Sequence, residues 1–315
     1  MDTENVTYSL QSYLTGNERT ILTGLFAVLS IFGLFGNGIV VYVVISLRHY
    51  LDVPANIFIL SQAFTDFGTA LSLLIYIVHM YVWIWDVFFW YTAVVWLASL
   101  GSLFLLTLNR LLSVIDPFAY PRRMTATRAR GLVVLNWMLA LVVTVYPLLI
   151  PGGSLDTSLG RYYIVITTTC VILFNLYLFR EGRIQSRKIK RQSQIVTGLQ
   201  KYFKEDFKSV RTQAMVGGTF LVCCLPITVV VFIYGDDQTS REFQRYAAFT
   251  GMLMPINAIL DPVIYYFRSR EFRAFYLKFK RSWQSNDANF SKSFNPPKSL
   301  QRVCRVKPAK IEVTE

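Results

Sequence analysis

The chain has 315 residues, of which 53% are hydrophobic and only 16% are charged, and its formal net charge is +13. Soluble domains average about 25% charged residues, so this composition excludes one or two ordinary soluble domains and predicts a membrane protein. The four cysteines, Cys170, Cys223, Cys224 and Cys304, have neither metal-ligand spacing nor the arrangement of a disulfide framework.

Seven apolar segments follow one another along the chain, and each is roughly 20 residues or longer, which is enough to span a bilayer. They lie at about 21–47, 54–80, 89–115, 131–150, 162–180, 212–234 and 246–267. The sequence therefore predicts an all-α membrane protein. A seven-transmembrane helix bundle at 21–267 follows an N-terminal segment at 1–20.

Lysine and arginine are distributed unevenly between the two sides of this bundle. Of the 32 basic residues, 28 fall in 48–53, 110–130, 180–211 and 268–310. The positive-inside rule places these segments in the cytoplasm and the N-terminus outside the cell, which predicts a multi-pass plasma-membrane protein. The positive charge then indicates an anionic inner leaflet as partner and gives no support to nucleic-acid binding. On the outer side, Asn5 begins an Asn-Val-Thr glycosylation acceptor sequence.

Two further segments follow the seventh span. Residues 268–281 place Phe272, Phe275, Tyr276 and Phe279 on one helical face and basic residues on the other. This pattern predicts an amphipathic cytoplasmic helix lying along the inner leaflet. Residues 282–315 are polar and rich in proline, serine and lysine, which predicts a disordered cytoplasmic tail.

Charged residues are almost absent from the seven segments, and only Asp66, Arg110 and Asp261 interrupt their interiors. An aspartate at the centre of a membrane helix costs about 2.5–3.5 kcal/mol. Pro262 follows Asp261 directly and removes a backbone donor, which a bilayer tolerates only where neighbours satisfy the freed carbonyl. We therefore expect the seventh segment to face other helices rather than lipid.

Several short motifs occur in a fixed order along these segments. They are Gly36-Asn37 in the first, Asp66 in the second, Asn109-Arg110 in the third, Trp137 in the fourth, Cys223-Cys224-Leu225-Pro226 in the sixth and Asp261-Pro262-Val263-Ile264-Tyr265 in the seventh. Together they resemble the rhodopsin-like class of G-protein-coupled receptors over about residues 20–280. The resemblance implies a cell-surface receptor, not an enzyme, that transduces an extracellular ligand into activation of a heterotrimeric G protein.

The resemblance also implies where the G protein is engaged. The family has an acid-Arg-Tyr triplet at the inner end of span three, and here the triplet is Asn109-Arg110-Leu111. Arg110 is therefore expected to reach the G protein. Asp206 stands where the family often places an acidic partner for this arginine, or it is simply solvated. Further coupling and activation positions carried over are Tyr177, Pro226, Pro262 and Tyr265. The two tyrosines either brace the arginine or anchor the helices at the interface.

A polar cluster in mid-bundle is a second implication, with Asn37, Asp66, Ser99, Asn257 and Asp261 as its members. In the family these positions surround a sodium ion, for which Asp66, Ser99 and Asp261 would be ligands here. Two buried carboxylates would together cost roughly 5–7 kcal/mol, and a hard cation would offset that cost. The alternative is a proton shared by the two carboxyl groups. No other cofactor is expected.

The ligand is left unassigned by the resemblance. Cys224 replaces the tryptophan that the family usually has beneath the ligand, and Thr92 replaces the aspartate of amine receptors. With Trp96, these residues form the predicted ligand pocket. The absence of lysine from span seven excludes an opsin. The aromatic outer ends of spans two and three form either a belt at the outer interface or the mouth of a site for a lipid or peptide, and a lipid or peptide is favoured over an amine. The similarity to the melanocortin and cannabinoid branch is weak, and no ligand is inferred from it. The alternative function is a seven-span transporter, although no internal repeat is visible.

Overall fold

The computed structural model describes residues 16–46, 51–79, 85–146, 158–192, 197–234, 240–251, 253–268, 273–274 and 277. Helices dominate this part of the chain, and no strand occurs in it. The helices are α1 (Gly16–Ser46), α2 (Pro54–His79), α3 (Trp85–Ile115), α4 (Tyr120–Arg123), α5 (Ala126–Val145), α6 (Ser158–Gln192), α7 (Thr197–Ile233), α8 (Arg241–Gly251) and α9 (Met254–Arg268). The predicted helical bundle is thus confirmed.

Seven membrane-spanning segments are present in the described residues, and the seventh is formed by α8 and α9 together. Helix α3 lies at the centre of the bundle, where it packs against α2, α5, α6 and α7. Helix α9 packs against α1, α2 and α7. The chain divides into one unit at Met1–Arg268 and a second at Ser269–Glu315. The predicted amphipathic helix lies outside the described residues, except for helical backbone at 273–274 and 277.

The bundle has apolar side chains on its outside and polar side chains within. Large apolar residues such as Phe35, Leu135 and Phe232 are exposed, as expected of a surface that faces lipid. Buried polar residues lie in the same helices as these apolar ones. Apolar contacts between spans form separate clusters, one of which packs Phe58 of α2 against Leu105 of α3. Contact between helices in a bilayer depends on packing and hydrogen bonds rather than on hydrophobic burial alone.

The Gly36-Asn37 motif of α1 contacts the proline-containing motif of α9. Pro262 has no N–H group, so the carbonyl of Ala258, four residues earlier, has no donor within α9. Asn37 Nδ2 of α1 donates to this carbonyl over 2.6 Å. A Cβ on Gly36 would lie 3.2 Å from Cγ of Pro262, which explains the glycine next to the asparagine. The expectation that a neighbouring helix satisfies the freed carbonyl is met by α1.

The seventh span is not the single helix that the apolar segment at 246–267 predicts. Helix α8 ends at Gly251 and α9 begins at Met254. Pro255 lies in the first turn of α9, where its missing N–H costs nothing, whereas in a continuous helix it would clash with the carbonyl of Gly251. The chain is therefore interrupted at Pro255, while α9 continues through Pro262.

Three other spans also differ from the predicted boundaries. The segment 181–211 between spans five and six is largely helical, because α6 continues to Gln192 and α7 begins at Thr197. The added turns of both helices are rich in lysine and arginine. Hydropathy therefore identifies only the apolar parts of α6 and α7. Helix α5 begins at Ala126, five residues before its apolar segment, because the Thr125 hydroxyl accepts a hydrogen bond from the Arg128 N–H and caps it.

Four polar residues join α2, α3, α5 and α6 in what we name the lateral polar junction: Ser61, Ser102, Asn136 and Tyr163. The hydroxyls of Ser61 and Ser102 are 2.8 Å apart. Asn136 Nδ2 donates to Ser102 Oγ over 3.3 Å and to the Ala98 carbonyl over 3.0 Å. The Tyr163 hydroxyl lies 3.5 Å from Asn136 Oδ1. Gly101 makes room for this arrangement, because a Cβ there would overlap Asn136 Oδ1.

We expect Gly101→Ala to lower the stability of the bundle by about 1–3 kcal/mol, the usual cost of overpacking. Asn136→Ala alone removes three hydrogen bonds, each worth about 1 kcal/mol. In the double variant the overlap with the amide disappears and only the close approach to the Tyr163 hydroxyl remains, so its loss of stability should be less than the sum of the single losses. Thermal unfolding of the purified protein in detergent measures the stability of the two single variants and the double variant. Strictly additive losses would contradict the close approach of residue 101 to the Asn136 amide.

Candidate functional site

A group of buried polar side chains on α1, α2, α3 and α9 lies at mid-bundle. We name it the central polar cluster, and its members are Asn37, Gln62, Asp66, Ser99, Asn257 and Asp261, all of them buried. Asn257 and Asp261 are one helical turn apart on α9, as are Gln62 and Asp66 on α2. Gln62, which was not predicted, links Asp66 to Ser99, and Asp66 interacts with Asp261. Asn37 contacts α9 at the Ala258 carbonyl, next to Asn257.

The two carboxyl groups of this cluster face each other across α2 and α9. Asp66 and Asp261 are close enough to share a side-chain hydrogen bond when one of them holds a proton. When both are ionised, Asp66 Oδ2 and both side-chain oxygens of Asp261 have no hydrogen-bond donor within the described residues. Two carboxylates in this arrangement repel each other while both are ionised.

Gln62 was not singled out from the sequence, although its spacing of four residues from Asp66 was an available signal. Its Nε2 atom donates to Asp66 Oδ1 over 3.0 Å and to Ser99 Oγ over 3.3 Å. The glutamine side chain is completely buried. It therefore connects the carboxyl group of α2 to the hydroxyl of α3.

Acceptors outnumber donors in the central polar cluster. Besides the three carboxyl oxygens, the amide oxygens of Asn37, Gln62 and Asn257 are buried and have no donor within the described residues. Buried polar atoms are rarely left in this state. A hard cation takes oxygen ligands of this kind, so the residues fit a sodium ion as well as they fit a shared proton. No described group of three or more His, Cys, Asp or Glu residues could hold another metal.

Arg110 lies near the end of α3. We name this end of the bundle the basic end, because α4 and α5 add four exposed arginines there: Arg122, Arg123, Arg128 and Arg130. The charge of Arg110 acts on both Tyr265, which is buried on α9, and Tyr120 of α4. Asn109 precedes it and is completely buried. The Arg110 side chain of α3 thus lies close to both the seventh span and α4.

Asn109 links the central helix to α4. The Tyr120 hydroxyl donates to Asn109 Oδ1 over 2.9 Å. Burial raises the pKa of Tyr120, while the charge of Arg110 and the bond to Asn109 lower it in part, so the hydroxyl keeps the proton that it donates. The Asn109 Nδ2 group has no partner within the described residues. An asparagine therefore holds α4 in place without supplying a negative charge to Arg110.

The turn between α3 and α4 presents an aromatic side chain that the sequence analysis did not identify. Phe118 is 94% exposed, more than any other large apolar side chain described. Its turn is fixed, since Asp116 Oδ1 accepts from the Ala119 N–H over 3.1 Å and Asp116 Oδ2 pairs with Arg123 Nη1 at 3.4 Å. The basic end therefore presents an exposed phenyl ring on a turn that a hydrogen bond and an ion pair hold in place.

Comparison with known proteins identifies the family of this chain. The sequence profile described as 7 transmembrane receptor (rhodopsin family) matches residues 36–265, from α1 into α9. The chain belongs to this family of G-protein-coupled receptors. The resemblance inferred from the motifs is confirmed, and the chain is a multi-pass membrane receptor.

Relatives of this receptor cover most of its length at low identity. Human histamine H2 receptor is 23% identical over 341 aligned positions, with 94% of this chain and 91% of that protein covered. Human cannabinoid receptor 2 is 23% identical, with 83% and 78% covered. Adenosine receptor A2a of Cavia porcellus is 22% identical, and the chain spans only 53% of its length. Their names give different ligands, so they indicate a receptor without indicating its ligand.

The remaining predicted site residues occupy varied places in the receptor. Tyr177 is 42% exposed on α6, whereas Tyr265 is buried close to Arg110. Pro226 lies within α7. The side chain of Asp206 and the whole of Asn5 lie outside the described residues, so the Arg110–Asp206 pair stays a prediction.

The three predicted pocket residues lie in the half of the bundle away from the basic end. Thr92 Oγ1 and Trp96 Nε1, one turn apart on α3, are buried and have no hydrogen-bond partner within the described residues. Cys224 of α7 is buried and close enough to Asp66 and Asp261 to interact with both electrostatically. Cys224 of α7 therefore lies beside the central polar cluster.

Proposed function

We propose that this receptor lies in the plasma membrane with its N-terminus outside, and that it converts binding of an extracellular ligand into nucleotide exchange on a heterotrimeric G protein. The observation that carries the proposal is Arg110 at the basic end, between α3, α4 and the buried Tyr265. A change in the packing of the helices around it would alter what this guanidinium can reach. The clustered basic residues support a cytoplasmic position for this end.

The ligand is proposed to be a lipid or a peptide with an apolar end, not a biogenic amine. Thr92 stands where amine receptors have their aspartate, and a threonine provides no counter-charge for an ammonium group. Trp96 Nε1 can only donate a hydrogen bond, and it has no acceptor among the described residues. A carbonyl, hydroxyl or other uncharged acceptor on an apolar ligand would complement it.

A sodium ion is proposed at the central polar cluster, with Asp66, Ser99 and Asp261 as candidate ligands. The unpartnered carboxyl oxygens support this assignment. A cation held between spans would favour the arrangement that keeps them together, and an agonist that favours the other arrangement would then oppose sodium.

The proposed function is tested by screening lipids, peptides and amines against the purified receptor in nanodiscs, with nucleotide exchange on several G proteins as the readout. A receptor carrying Arg110→Ala serves as the matched control. Exchange that depends on both a ligand and Arg110 is the expected result. Ligand-driven solute uptake into proteoliposomes without any nucleotide exchange would favour a transporter instead.

We expect Phe118→Ala to reduce G-protein activation about tenfold or more, because exposed aromatic anchors account for much of the affinity of protein interfaces. Thermal stability should be unchanged, since the ring contacts little of the receptor. The measurement is the initial rate of nucleotide exchange at matched receptor concentration. Phe249→Ala, at an exposed phenylalanine of α8, is the control, and equal rates in both variants would contradict the prediction.

A further inference from the structure

The starting observation is a close contact between α6 and α7. Gly217 of α7 is buried and lies against the side-chain amide of Asn175 on α6. A Cβ at position 217 would lie 2.5 Å from Asn175 Oδ1 and 2.7 Å from Nδ2. No real side chain approaches another so closely, so the two helices can lie this near each other only because residue 217 is glycine. At Gly218, the next residue, a Cβ would meet nothing within 4 Å.

The amide of Asn175 is held in its position. Its Nδ2 group donates to the Val171 carbonyl, one turn earlier on α6, over 2.8 Å. The side chain is 9% exposed, and Val171 and Phe220, about one turn away on the two helices, are almost completely buried. The amide therefore cannot turn away from residue 217 without losing its hydrogen bond in a crowded place. A larger residue at 217 would instead displace α7 from α6.

The other atom of the same amide opposes the contact. Asn175 Oδ1 is buried and has no hydrogen-bond partner within the described residues. A buried acceptor without a donor destabilises the arrangement that buries it. Separation of the two helices would let water reach this oxygen. The loss of close packing would then be offset in part, which an entirely apolar contact would not allow.

Helix α7 can bend in the turn that meets Asn175. Two adjacent glycines, Gly217 and Gly218, have low helix propensity. The Thr219 hydroxyl donates to the Val216 carbonyl over 2.9 Å, and a hydroxyl that bonds back to the preceding turn favours bending of a helix. The part of α7 before Gly217 extends to Thr197, in the basic segment that the positive-inside rule assigns to the cytoplasm. A bend at the glycines would therefore move the cytoplasmic part of α7.

We propose that the Asn175–Gly217 contact holds α7 against α6 in the ligand-free receptor, and that activation of the G protein requires its release. The link to activation rests on the proposed function, whereas the position of α7 is measurable without it. Asn175 and Gly217 are positioning residues, since they act on the arrangement of two helices and not on the ligand.

The test uses the full-length receptor in nanodiscs without ligand. The variants are Gly217→Ala, Asn175→Ala and the double variant that combines them. Gly218→Ala is the matched control, because it makes the same change one residue further on, where the added methyl group has open space. The first measurement is the rate of ligand-free nucleotide exchange at matched receptor concentration.

The second measurement is the distance between two spin labels, obtained by double electron–electron resonance. The labels are attached to cysteines introduced at Ile45 of α1 and Met215 of α7, both of which are exposed. Cys170 and Cys304 are replaced by serine in this receptor so that they do not take up label. A displacement of α7 changes this distance whether or not a G protein responds.

The expected result is that Gly217→Ala shifts the label distance and raises ligand-free exchange about tenfold, the size of an ordinary overpacking effect on the balance of two arrangements. Gly218→Ala should leave both measurements unchanged. In the Asn175→Ala receptor, the Gly217→Ala change should have little effect on either measurement, because the amide that the methyl group would meet is gone. If Gly217→Ala alone does not fold, Asn175→Ala should restore folding.

Three outcomes would overturn the inference. One is an equal effect of Gly217→Ala and Gly218→Ala, and another is a double variant that Asn175→Ala does not rescue, since either would show that the contact is not the cause. The third is a shifted label distance with unchanged ligand-free exchange, which would separate the contact from activation. If neither ligand nor variant produces any exchange, the proposed function fails, while the label distances still decide whether the contact holds α7.

Discussion

Replacing Arg110 by alanine is expected to abolish G-protein activation while leaving the amount of folded receptor near normal. Arg110 lies near the end of α3, where the long side chain of an arginine can extend its guanidinium towards water. The side chain acts on Tyr120 and Tyr265, which places it where α3, α4 and α9 meet. Losing one hydrogen bond to a charged group costs about 1.5–3 kcal/mol, or roughly tenfold to hundredfold in activation, which would leave nucleotide exchange close to the background rate.

The measurement is ligand-stimulated nucleotide exchange, normalised to receptor at the cell surface. Arg130→Ala is the control, since Arg130 is also exposed at the basic end and its Nη2 donates only to the Leu51 carbonyl, over 3.1 Å. Near-normal exchange by a well-expressed Arg110→Ala receptor would remove the observation that carries the proposed function. Equal losses in both variants would indicate a general effect of charge at this end.

Asp66→Asn is expected to remove the effect of sodium on agonist affinity. Coupling between two sites typically changes affinity by about 5–150-fold, so sodium should weaken agonist binding at least about fivefold in the parent. The asparagine keeps the size of the side chain but removes the charge that attracts the ion. By reciprocity, the agonist should weaken sodium binding in the parent by the same factor.

Asp52→Asn is the control, because it removes one acidic charge from an exposed position at the basic end. Agonist affinity is measured by competition binding in sodium and in N-methyl-D-glucamine at equal ionic strength. An identical sodium response in the parent and in Asp66→Asn would reject the ion. The shared proton between Asp66 and Asp261 would then be the remaining explanation for two buried carboxyl groups.

The residues of the site differ in how far the sequence could predict them. Asp66, Asp261 and Arg110 are visible as charges in apolar segments, because burying a charge in a bilayer is costly wherever it occurs. Gln62 and Asn136 are neutral, so their presence in apolar segments gives little signal. Their roles depend on acceptors in other helices, such as Ser99 and Ala98 of α3, and these partners are fixed only by packing.

Phe118 and Asn109 show the same limit at the basic end. The sequence shows that Asn109 replaces an acid of the family motif, but not that Tyr120 donates to it across the turn. Phe118 is one of 24 phenylalanines in the chain, and only the turn held by Asp116 leaves its ring facing water. Exposure of a side chain is a property of the folded chain that local composition does not contain.

The sequence by itself determined the helical class, the number of spans, their approximate positions and the family. It could do so because a chain in lipid must satisfy its backbone hydrogen bonds within each helix, so apolar length alone identifies a span. Only the tertiary structure decided how the prolines of the seventh span are accommodated. Asn37 satisfies the carbonyl freed by Pro262 from 221 residues away, and α9 therefore continues, whereas at Pro255 one helix ends and the next begins. Side-chain partners of this kind are separated along the chain and meet only when the helices pack.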